Sequence, residues 1–88
     1  MIEKILQVKN KLGLHARPAA LLVQTTNKFK SEVKVIKGDQ EVNGKSIMGI
    51  LMLAAEQLSE LTILLDGEDE QAAIEELERL FDSKFGEE

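Results

Sequence analysis

"EVKVIKGDQEVNGKSIMGILML" (residues 32–53) changes its periodicity twice, and the order of the changes decides the fold. Residues 32–37 alternate, with Val33 and Val35 opposed to Glu32, Lys34 and Ile36, as in a strand with one buried face. Gly38 and Asp39 then fit a two-residue hairpin turn, and residues 40–43 form the short returning strand. "NGKS" (43–46) is a second turn ending on Ser46, whose oxygen can accept from the exposed amides of a helix's first turn. Residues 47–55 read as a short apolar helix.

On the N-terminal side, residues 2–8 alternate, with Ile2, Leu6 and Val8 facing one way and Lys4 as the exception. From Ala16 onward, Ala16, Ala19, Ala20 and Val23 follow the spacing of one helical face, continued by Asn27. On the C-terminal side, residues 60–66 form a further strand. Asp69 can cap a last helix, in which Ala73, Ile74, Leu77, Leu80 and Phe81 make the buried stripe. Acidic residues crowd its start and Arg79 and Lys84 lie near its end, which suits the helix dipole. The order is β-α-β-β-α-β-α. It predicts a single α+β domain over residues 1–88, an open-faced β-sandwich with a four-stranded antiparallel sheet and three helices on one face.

The composition fits one small core. The chain has 88 residues, 43% hydrophobic and 31% charged, with three phenylalanines as its only aromatic side chains. Sixteen acidic against eleven basic residues give a net charge of −5. That balance argues against a nucleic-acid surface, which needs a clustered basic stripe. Lys28, Lys30, Lys34 and Lys37 fall close together in the chain, but they read as solvated faces of one helix and one strand. No cysteine is present, so disulfides, thiol chemistry and thiolate-bound metal are excluded. "MIEKILQVKN" lacks the pattern of a signal peptide, and no apolar run approaches the roughly 20 residues that span a bilayer. The expectation is a cytoplasmic monomer without membrane contact.

Chemistry concentrates at "GLHARPA" (13–19), which holds the chain's one histidine and one proline. Pro18 is tolerated only in the first turn of a helix, so it fixes the helix start close to His15. Either His15 or Arg17 then serves as the cap, and in both cases the imidazole hangs over a helix N-terminus. First-turn amides with the dipole behind them receive anions, and the Arg17 guanidinium suits phosphate oxygens. The same positive field disfavours imidazolium, which predicts a neutral ring with one nitrogen free to act as a nucleophile. The dipole contributes only about 0.3–1 kcal/mol at exposed sites, which fits a phosphoryl group that is accepted and then given away. One imidazole with no thiol and no paired carboxylates makes a poor metal cage. No Gly-x-Ser-x-Gly motif supports a nucleophilic triad.

"GLHARPA" together with "NGKSIMGILML" (43–53) resembles the HPr family, the histidine-containing phosphocarriers of the bacterial phosphoenolpyruvate-dependent phosphotransferase system. The resemblance covers essentially the whole chain. It implies a carrier in a relay, with no catalytic turnover of its own and no cofactor. His15 would accept a phosphoryl group on Nδ1 from Enzyme I and pass it to Enzyme IIA domains for sugar uptake. Arg17 would contact the phosphate, Gly13 and Ala16 belong to the active-site loop and helix start, and Pro18 initiates the helix. Ser46 matches a regulatory serine phosphorylated by HPr kinase/phosphorylase, which brings a catabolite-control transcription regulator among the implied partners.

At position 12 the family often has Asn or Ser to help hold the phosphate, and Leu12 lacks that polar group. Related carriers of regulatory phosphorelays also use "NKLGLHAR", so the alternative is a nitrogen-type or catabolite-repression protein acting as a binding module switched by phosphorylation. A sister regulator lacks the histidine, and His15 separates this chain from it. The helix after Ser46 is apolar nearly all round. If Ile50, Leu53 and Ala54 point inward, Ile47, Met48 and Leu51 remain outside; with Ala20 they form a candidate docking patch of the kind that accepts several partners.

Overall fold

The computed structural model describes residues 1–87. The elements run β1 (Ile2–Gln7), α1 (Ala16–Thr26), β2 (Glu32–Lys37), β3 (Gln40–Asn43), α2 (Ile47–Met52), β4 (Glu60–Asp66) and α3 (Glu70–Asp82), followed by a 3₁₀ turn at Lys84–Gly86. The four strands form one antiparallel sheet in the order β1-β4-β2-β3. This is the expected β-α-β-β-α-β-α architecture, with the helices over one sheet face.

The alternation seen in the sequence becomes the register of the sheet. Ile63 at the centre of β4 pairs with Lys4 on one side and Val35 on the other. Val33, Val35, Leu61, Ile63 and Leu65 are all buried beneath the helices. Lys4 shares that inner face at the sheet edge, and its ammonium reaches Glu78 of α3 at 2.9 Å. An inward charge on an edge strand is thus partnered, which accounts for the break in the β1 pattern. The opposite face is open, and Ile5 there is 61% exposed. With no tryptophan or tyrosine, the core is closed by aliphatics and by Phe81 and Phe85, whose ring centroids lie 4.9 Å apart.

Three expectations need correction. The buried face of α1 is Pro18, Ala19, Leu22, Thr25 and Thr26, while Ala16 and Asn27 are exposed. Hydropathy discounts threonine, but Thr25 donates to the Leu21 carbonyl at 2.9 Å and Thr26 to the Gly44 carbonyl at 2.8 Å, so both hydroxyls are buried with partners. The second helix ends at Met52 instead of residue 55: Leu53 is the C-cap, and Ala54 adopts φ +48 and is exposed. Ala55 is buried in its place, and its carbonyl accepts from Leu14 at 2.9 Å. Asp69 stands at the start of α3, but its side chain caps nothing. Its carboxylate accepts instead from the amides of Lys30 and Ser31 and from the Ser31 hydroxyl, tying the loop before β2 to the start of α3.

Candidate functional site

The β1–α1 loop is built to deliver His15. Gly13 has φ +70, and a Cβ there would lie 2.3 Å from the Ala55 carbonyl oxygen, so only glycine fits. Leu14 is buried, and the helix begins with His15 as its N-cap in an extended conformation. Of the two caps the sequence allowed, it is His15, and Arg17 is helical. The imidazole makes no capping hydrogen bond. The His15 carbonyl accepts from Ala19 at 3.0 Å, and Pro18, buried in the first turn, has no amide to offer. The amides of Ala16 and Arg17 are too early in the helix for an intrahelical acceptor. Ala16 and the Arg17 side chain are exposed.

The ring has a partner that the sequence did not reveal. Nε2 of His15 lies 3.1 Å and 3.0 Å from the two carboxylate oxygens of Glu87. Asn10, fully buried, donates through Nδ2 to the same carboxylate at 3.0 Å and to the Gly13 carbonyl at 2.7 Å. An ionised carboxylate only accepts, so Nε2 carries a proton, and in the neutral form of the ring the lone pair sits on Nδ1. The hydrogen bond from His15 holds the Glu87 carboxyl below its ordinary range against the opposing effect of burial, with smaller help from Asn10 and from the charge of Arg17. Glu87 is carried to this place by the 3₁₀ turn, where Phe85 is buried against Phe81 and both Lys84 and Phe85 take positive φ. No local periodicity announces a contact across 72 positions. The only sequence sign of Asn10 is an Asx residue at the start of a turn closed by Gly13 N–H donating to the Asn10 carbonyl at 3.2 Å.

Ser46 is the N-cap of α2, its hydroxyl oxygen accepting from Gly49 N–H at 3.1 Å. The loop before it is bound to the far end of α1, through Thr26 to the Gly44 carbonyl and Asn27 to the Lys45 carbonyl. His15 and Ser46 therefore stand toward opposite ends of α1, an 11-residue helix about 16 Å long. Ile47, Met48 and Leu51 are 42%, 67% and 38% exposed, while Ile50 and Leu53 are buried and Ala20 is half-buried. Met52 and Leu12 are also exposed, at 65% and 74%. Leu12 points to solvent, as a residue in contact with a partner or with nothing.

A small open-faced α+β domain that presents one imidazole nitrogen at an unfilled helix N-terminus, beside an arginine, is suited to carrying an anionic group. A family model described as "PTS HPr component phosphorylation site" matches residues 2–83. The phosphocarrier protein HPr of Xylella fastidiosa is 49% identical over 87 residues, covering 99% of this chain and 98% of that protein. Among solved structures, HPr of Thermoanaerobacter tengcongensis superposes with a TM-score of 0.96 at 51% identity, covering 100% of this chain and 99% of the other. Crh of Bacillus subtilis, described as a domain-swapped, intertwined dimer, gives 0.75 at 44% identity over 96% and 97% of the two chains. The chain belongs to the HPr family of the phosphotransferase system, which takes in both phosphocarrier proteins HPr and the HPr-like Crh proteins. Among the described residues no helix is long and apolar enough to cross a membrane.

Proposed function

We propose that the chain carries a phosphoryl group on Nδ1 of His15, accepting it from phospho-Enzyme I and donating it to Enzyme IIA domains for sugar uptake. The observation that carries this reading is the engagement of Nε2 by Glu87, with His15 at the start of α1 and its ring making no capping bond. The Nδ1 lone pair forms the new N–P bond while the bond from phosphorus to the donor breaks, its electron pair staying with the donor. The ring becomes cationic, and the Glu87 carboxylate faces that charge through Nε2–H. Arg17 and the first-turn amides receive the phosphoryl oxygens. The contribution of the helix end is modest, which keeps the step reversible. Ile47, Met48 and Leu51, with Ala20, form the docking patch for both partners.

In this reading the protein is a relay substrate without a cofactor, working in the cytoplasm as a monomer and touching neither nucleic acid nor membrane. Incubation with Enzyme I, phosphoenolpyruvate and Mg²⁺ adds one acid-labile, alkali-stable phosphate, and His15→Ala abolishes it. Labelling that persists in His15→Ala sinks the assignment.

A second reading is favoured by the likeness to Crh and by Ser46 at a helix start: a regulatory module switched at Ser46 by HPr kinase/phosphorylase and read by a catabolite-control transcription regulator. A phosphate at that helix N-terminus is favourably placed and adds charge next to Ile47 and Met48. The kinase with ATP then yields an acid-stable phosphate that Ser46→Ala lacks.

A further inference from the structure

Asn10 has features that packing alone does not explain. Its side chain is fully buried in the β1–α1 loop, yet both of its recorded donations go to groups around His15: the Gly13 carbonyl at 2.7 Å and Oε1 of Glu87 at 3.0 Å. Its own oxygen, Oδ1, is buried with no hydrogen-bond partner among the described residues. A buried carbonyl oxygen without a donor is unfavourable for stability. Turning the amide over would be worse, because Oδ1 would then face the Gly13 oxygen and the Glu87 carboxylate, three acceptors together. The orientation is dictated by the two acceptors, and the orphaned oxygen is its cost.

We propose that Asn10 is a positioning residue for the reacting imidazole: it clamps the Glu87 carboxylate against Nε2 of His15 and so keeps the lone pair on Nδ1. This rests on the reading of His15 as the phosphoryl acceptor. A neutral imidazole distributes its proton between two nitrogens, and the hydrogen bond made by one fixes the state of the other. Phe85 anchors the tail two residues before Glu87, but it cannot set the height of the carboxylate over the ring. The Asn10 amide does so from the loop side, and its second bond, to Gly13, fixes that amide relative to the segment that carries His15. When the N–P bond forms at Nδ1, the proton on Nε2 stays where it is, facing the carboxylate.

The test is a double-mutant cycle on the full chain with Asn10→Ala, Glu87→Ala and the pair, read two ways. The first readout is the tautomer of the single imidazole, from its ring ¹⁵N shifts; the second is the rate of phosphoryl acceptance from phospho-Enzyme I. Asn10→Ala is expected to lower the Nε2–H fraction and slow acceptance about tenfold, the low end of the loss when the outer hydrogen-bond partner of a metal-bound histidine is removed. Both effects are expected to vanish in the Glu87→Ala background. An equal slowing in that background assigns Asn10 to loop structure through Gly13 and overturns the proposal. An unchanged tautomer fraction overturns it as well, whether or not His15 proves to be the acceptor. Because Asn10 is fully buried, the wild-type protein supplies a reading that needs no substitution. The Nδ2 amide protons of Asn10 should shift with the titration of the Glu87 carboxyl, and a flat response overturns the clamp.

Discussion

Asp69 gives its carboxylate to Ser31, 38 positions earlier in the chain, instead of to the helix it begins. The Ser31 hydroxyl is the main cause, followed by the Lys30 amide, of an Asp69 carboxyl lowered to about 2 from 3.8. A carboxyl depressed in the folded state adds stability above its unfolded value and loses that contribution as pH falls through the folded one. Thermal unfolding followed from about pH 6 to about pH 1.5 should therefore show a decline between 3.8 and about 2 that is absent in Asp69→Asn. The same slope in the variant would assign the acid sensitivity to other groups.

Glu87 offers a test of order. Its carboxyl is held below 4.5 first by the hydrogen bond from His15, then by Asn10, and least by the charge of Arg17. By carboxyl ¹³C titration, His15→Ala should raise the Glu87 value most and Arg17→Ala least. A larger rise in Arg17→Ala would mean that the guanidinium, not the imidazole, holds the tail.

Gly13→Ala should destabilise the domain by about 2 kcal/mol or more, since the positive φ costs about 1–2 kcal/mol in an L-residue and the Cβ would meet the Ala55 oxygen at 2.3 Å. Urea unfolding measures the loss. A change within about 0.5 kcal/mol, ordinary for surface positions, would show that the two loops separate freely.

Phe85→Ala empties a fully buried aromatic site, and such truncations cost about 3–5 kcal/mol. The same variant should release Glu87, so the imidazole resonances of His15 are expected to move in the protein that remains folded. Unfolding at the wild-type denaturant midpoint would contradict the anchoring role.

For Ser46 the cap bond to Gly49 predicts that Ser46→Ala loses about 1 kcal/mol of stability, while Ser46→Asp, which keeps an acceptor at the helix start, loses less. The two variants are compared by chemical denaturation. Equal losses would mean that the hydroxyl does not act as the cap.

The central strands β2 and β4 were legible because each has one buried face and period two survives translation into register, Val33, Val35, Leu61, Ile63 and Leu65 all being buried. His15 at the helix start was legible because Pro18 restricts where a helix can begin. What escaped has specific causes. Thr25 and Thr26 are buried with their hydroxyls partnered, so hydropathy turned the α1 face to the wrong side. Ala54 in a left-handed conformation ends α2 early for the sake of the Ala55–Leu14 contact, which no local rule encodes. Glu87 reaches the site through a turn of two positive-φ residues and meets Asn10 across 77 positions, and only tertiary packing brings them together.

The contact between His15 and Glu87 also sets an order in time. On a ribosome the histidine is made 72 residues before its carboxylate partner, after β1 and before every other strand. A nascent or truncated chain can expose the ring without Glu87 to fix its proton. Only a chain in which the Lys84–Gly86 turn has been made and packed places Glu87 against the ring, so the partner of the imidazole arrives after all four strands have been made.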